Sequence, residues 1–95
     1  MYDDSDAFYA GLDDFTLCEL FHQFANGYAA ALLAARRNAR GRGDADAERA
    51  YLDEAIGLKG AMRRIGDRDR DAQIGAIRRW RGRTEELREA PHVAA

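Results

Sequence analysis

Cys18, Glu19 and His22 are the residues whose types and spacing could do chemistry in this chain. Cys18 and His22 lie four apart, so on a helix they face the same way, and an imidazole there could activate a thiolate. Glu19 and His22 lie three apart and could offer a carboxylate and an imidazole to one metal ion. Neither pair has the companions its chemistry needs. No second Glu-x-x-His occurs, no third member that would orient Cys18 and His22 can be identified, and the other histidine, His92, follows Pro91. With Leu17 as origin at about 100° per residue, the apolar stripe centres near zero while His22 falls at about 140° and Glu19 at about 200°. Both are expected on the surface. Gly41-Arg42-Gly43 lacks the spacing and the Lys-Ser/Thr ending of a phosphate-binding loop. The sequence is therefore read as non-catalytic, with no metal site and no cofactor.

The elements that carry these residues follow from hydrophobic periodicity. Asp13 and Asp14 supply capping oxygens and negative charge at a helix start. Leu17, Leu20, Phe21, Phe24, Tyr28, Ala31, Leu32 and Ala35 then recur at threes and fours until Arg36, Arg37, Arg40 and Gly41. Ala25, Ala29 and Leu33 form a second strip, so this helix is expected to have neighbours on two sides. A turn is expected over Asn38–Gly43, and Asp44 and Asp46 start the next helix. Its seam of Tyr51, Ala55, Leu58, Met62 and Ile65 has coiled-coil spacing, with Leu52 and Ile56 beside it. Gly57 and Gly60 each cost about 1 kcal/mol relative to Ala inside a helix, which suits close approach of another backbone better than exposure. After Gly66 and the acids 67, 69 and 71, a third helix carries Gln73, Ile77, Trp80, Thr84 and Leu87 on one seam and stops before Pro91. Seven β-branched residues, none in an alternating run, leave no material for a sheet.

Composition sets the energetic scale. At 95 residues the chain is one domain, expected as an acidic lead over 1–12, a helical domain over 13–90 and a tail over 91–95. Its hydrophobic share of 46% includes 19 alanines, against only 17 Leu, Ile, Val and Phe residues. A chain of this size buries only about 60 to 65% of its unfolded surface, so so thin a core calls for help from a second copy or a partner. The fold class expected is all-α, a small three-helix bundle or a helical hairpin plus a third helix, completed by dimerisation. Residues 1–35 carry −6, residues 36–83 carry +6 and residues 84–95 carry −2, an asymmetry that can guide association. The longest apolar run, Tyr28 to Ala35, is far shorter than the roughly 20 residues of a membrane span. The acidic beginning is unlike a signal peptide and the single cysteine allows no internal disulfide, so a cytoplasmic protein is expected.

Gly43 to Leu58 (GDADAERAYLDEAIGL), with its Gly-Asp turn and Ala55, resembles the turn and second helix of a tetratricopeptide repeat over 16 of 95 residues. Glu48 stands at that repeat's small-residue position, Gly60 stands where it carries Pro, and no second repeat follows. What carries over is a helical hairpin, with no family assigned. Ile65-Gly66 followed by Ile77-Arg78-Arg79-Trp80 resembles the end of a helix-turn-helix reader, with a gap about five residues too long. The function expected is a protein–protein interaction module, a regulator or adaptor and a homodimer. Its interface is expected among Ala25, Ala29, Leu33, Tyr51, Leu52, Ile56, Leu58, Met62 and Ile65. The alternative is a small DNA-binding regulator contacting phosphates through Arg78, Arg79 and Arg83. Trp80 is expected as a buried anchor.

Overall fold

Capping chemistry sets where the helices begin and end. The computed structural model describes residues 4–89, so the expected tail over 91–95 lies outside it. Among the described residues there are four helices and no strand: α1 (Asp4–Ala10), α2 (Asp14–Gly41), α3 (Ala45–Arg64) and α4 (Arg70–Glu89). Asp13 caps α2 by accepting the Thr16 amide at 2.7 Å, Asp44 caps α3 by accepting that of Ala47 at 3.0 Å, and Asp69 accepts that of Ala72 at 3.2 Å at the start of α4.

The end of α2 differs from the turn expected over Asn38–Gly43. The helix runs on through Gly41, and only Arg42 and Gly43 turn the chain. Gly43 adopts φ +72°, its amide donates to the Arg40 carbonyl at 3.0 Å, and the Asp44 amide donates to the Ala39 carbonyl at 2.9 Å. This is the Schellman arrangement, which needs a left-handed residue one place after the cap, and glycine takes that conformation without steric cost. Gly41 carries no such requirement, so it stays helical.

At 28 residues, α2 is about 42 Å long and is the element on which α3 and α4 both pack. The core is built along it. Leu17, Phe21, Ala25, Tyr28 and Leu32 of α2 meet Ile74, Ala76, Ile77, Trp80 and Leu87 of α4 and Leu58 of α3. The Phe21 and Trp80 rings pack at a tilt of 33° with centroids 5.1 Å apart, and the Thr84 hydroxyl donates to the Trp80 carbonyl at 2.6 Å. The whole series Gln73, Ile77, Trp80, Thr84, Leu87 is buried, as its spacing predicts. The radius of gyration, 14.9 Å, exceeds the roughly 12 Å of a compact chain of this size, because one long helix sets the length.

The acidic lead contains a helix, α1, that folds back on α4. Asp6 is almost wholly buried and accepts from Arg78 at 2.8 Å, while Arg81 donates to the Tyr9 hydroxyl at 3.3 Å. Arg70 closes the junction, donating to Asp14 at 2.6 Å and to the carbonyls of Ala10 and Leu12. Trp80, 5% exposed in this core, should show blue-shifted emission protected from iodide, and Trp80→Ala should cost about 3–5 kcal/mol in denaturant melts. A red-shifted, freely quenched emission would contradict the packing.

Candidate functional site

Where α2, α3 and α4 come together, one polar group links all three. The Tyr28 hydroxyl of α2 donates to Glu54 Oε2 of α3, and Arg83 of α4 forks onto the same carboxylate, Nε to Oε2 at 2.8 Å and a terminal nitrogen to Oε1 at 3.0 Å. The fork geometry matches guanidinium to carboxylate and fixes orientation as well as charge. Arg83 also donates to Glu86 one turn on at 3.1 Å. The hydrogen bonds from Arg83, reinforced by that from Tyr28 and opposed by burial, hold the Glu54 carboxyl below its ordinary range. Burial first, and then the bond to Glu54, push the Tyr28 hydroxyl well above the ordinary range of a phenol. The Glu54 carboxylate holds the Arg83 proton more firmly still. A tyrosine held protonated and a carboxylate held ionised and fully partnered are poor acid–base catalysts. The chemistry of this group is structural.

The three arginines expected to face phosphates are thereby placed. Arg83 is clamped to Glu54 and Glu86, Arg78 is paired with Asp6, and Arg79 is exposed. Of the residues expected at an interface, Ala25 and Leu58 are buried in the chain's own core, and Tyr51, Met62 and Ile65 pack half-buried against it. Leu52 is half-buried, whereas Ala29, Leu33 and Ile56 are exposed, the last two at 44% and 60%. Phe8 and Phe15 are exposed as well. Between α2 and α4 lies an open groove of about 320 Å³ lined by Leu20, Phe24 and Gly27 and by Arg81, Thr84 and Arg88.

His22 and Glu19 lie on the exposed side of α2, where the wheel puts them, and Cys18 is half-buried. The residue sequence reasoning missed is Asp67. The turn between α3 and α4 brings it to Cys18 and His22, so that one donor atom from each lies within 4.8 Å of the other two. No local signal marks it, since 45 residues separate it from His22 and it sits in an Asp-Arg alternation that reads as a capping run. These three residues could hold a metal ion.

Comparison of the chain with protein-family models, curated proteins and solved structures finds no match, so its function is argued from this geometry.

The linking group gives a pH signature. A carboxyl whose folded pKa is depressed contributes stability above its unfolded value, ordinarily 4.5, and that contribution is lost as pH falls through the folded value. Glu54→Gln should therefore melt below wild type at pH 7 by about 1–2 kcal/mol, with the difference shrinking toward about pH 3. A gap independent of pH would contradict the ionised carboxylate. Tyr28 acts at the other end, its contribution present below pH 10 and lost as pH rises further.

Proposed function

We propose that this chain is a non-catalytic helical interaction module, a regulator or adaptor, that binds protein through α3, with a second copy of itself as the first partner. One observation carries the reading: α3 and α4 are each 20 residues long, yet α4 buries seven residues and α3 buries only Leu58. Tyr51, Ala55, Ala61 and Met62 pack half-buried against the core, so α3 is held by its own chain yet incompletely covered by it. Ile56 stands exposed on α3, and Gly57 leaves open space where a Cβ would project, so another backbone can come close there.

Charge favours a second copy as the occupant. In residues 45–54 Asp46 and Asp53 are exposed, while Glu48 and Glu54 are paired with Arg40 and Arg83 of the same chain, and residues 55–64 present Lys59, Arg63 and Arg64, all exposed. Acid first and base last also suits the helix dipole. In an antiparallel, two-fold pairing of α3 with itself, the acidic half of one copy meets the basic half of the other, with Ile56 and Gly57 near the axis. The reading places the module in the cytoplasm, consistent with its single, half-buried cysteine. No helix among the described residues is long and apolar enough to cross a membrane.

Light scattering at micromolar concentration should give twice the 10.6 kDa chain mass for wild type, and the single-chain mass for Ile56→Arg with its helical circular dichroism unchanged. A wild type that remains monomeric and melts independently of concentration would overturn the proposal.

A further inference from the structure

Cys18 and His22 leave the same side of α2 one turn apart, and the α3–α4 turn carries Asp67 over them. Asp67 is held there by the main chain. Gln73 of α4, 1% exposed, donates its side-chain amide to the carbonyls of Gly66 and Asp67, at 3.0 Å each, and the Asp69 amide donates back to the Gly66 carbonyl at 3.1 Å. A buried side chain therefore fixes the turn in place, and the Asp67 carboxylate is left to point from a supported backbone. The Phe21 ring lies edge-on to the His22 ring, with centroids 5.3 Å apart.

The three donors form a compact triangle, and its shape decides between two chemistries. In a nucleophile–base–carboxylate relay the acid sits on the far side of the imidazole, which separates it from the nucleophile by roughly 6–7 Å. Here sulfur, nitrogen and oxygen all lie within 4.8 Å of one another. In a tetrahedral zinc site, with metal–ligand distances of about 2.0–2.3 Å, donors stand roughly 3.3–3.6 Å apart. Closing the difference takes at most about 1.2–1.5 Å per edge, within reach of side-chain rotation. The donor set selects the ion. A thiolate and an imidazole suit zinc(II) and its neighbours and disfavour calcium and magnesium, which take oxygen ligands. One thiolate and one carboxylate together neutralise a divalent charge.

We infer that Cys18, His22 and Asp67 bind one zinc(II)-type ion, with the fourth position open to water or to a donor from a partner. Binding displaces the thiol proton to solvent and joins the α3–α4 turn to the first half of α2. The inference is independent of the pairing of α3.

Cobalt(II) reports on such a site directly. Metal-free full-length protein titrated with cobalt(II) should develop a thiolate-to-metal charge-transfer band and the strong visible absorption of four-coordination, saturating at one equivalent, and zinc(II) should displace both. Cys18→Ala should abolish the charge-transfer band, and His22→Ala and Asp67→Asn should each weaken binding more than about tenfold. Gln73 holds the main chain at Asp67, so Asp67→Asn should leave the turn in place, as unchanged circular dichroism will verify. Absence of the band in wild type would overturn the site, and so would affinity undiminished in His22→Ala and Asp67→Asn, which would leave only a lone thiol that scavenges metal.

Discussion

The scarcity of large apolar side chains governs this fold, and the way that scarcity falls on the helices determines everything else. Most of the buried apolar residues lie between α2 and α4, where Leu17, Phe21 and Leu32 meet Ile77, Trp80 and Leu87. Little is left for α3. Leu58 anchors it, Tyr51, Ala55, Met62 and Ile65 lie half-covered, and the forked bond from Arg83 to Glu54, shared with Tyr28, fixes its orientation. The polar group substitutes for missing hydrophobic contact between α3 and α4. A half-exposed ion pair is a weak source of stability but a good source of geometry, so α3 is well oriented and only partly buried.

The same economy explains the charge pattern. The acidic first third and the basic remainder meet within one molecule: Asp6 with Arg78, and Asp14 with Arg70. Long arginine side chains on α4 hold α1 down, reaching the Tyr9 hydroxyl and the carbonyls of Ala10 and Leu12 as well as the carboxylates. Arginine does what additional leucines would do in a richer core, and it leaves the outer face of α4 less basic than its sequence suggests.

Much of the fold could be read from periodicity because each helix carries its own seam. Leu17, Phe21, Tyr28 and Leu32, and the series from Gln73 to Leu87, turn inward as their spacing requires, and Asp13 and Asp44 cap as their positions suggest. Gly43, with its positive φ, sits in the expected turn, although Gly41 beside it is helical. What could not be read depends on how helices far apart in sequence meet. Tyr28, Glu54 and Arg83 belong to three different elements, and no spacing rule joins them. Asp6 reads as one more acid in an acidic lead, yet it is buried against α4. Ala25 looks like the exposed Ala29 in the sequence, and only the placement of α3 and α4 separates them, whereas seam spacing already sets Leu58 apart from Ile56. Asp67 shows the limit most plainly, since its approach to Cys18 and His22 depends on a turn held by Gln73, whose polar side chain reads as an ordinary seam position.

α3 is incompletely covered by its own chain, and the proposal to be tested is that it completes its burial against another α3. Amide hydrogen exchange followed as a function of protein concentration reports on that directly, because only an element at a self-interface gains protection by mass action. The account predicts that protection across residues 50–60 rises with concentration through the micromolar range while that of Ile77, Trp80 and Leu87 in α4 stays constant. Protection in α3 that equals that of α4 and does not change with concentration would contradict it.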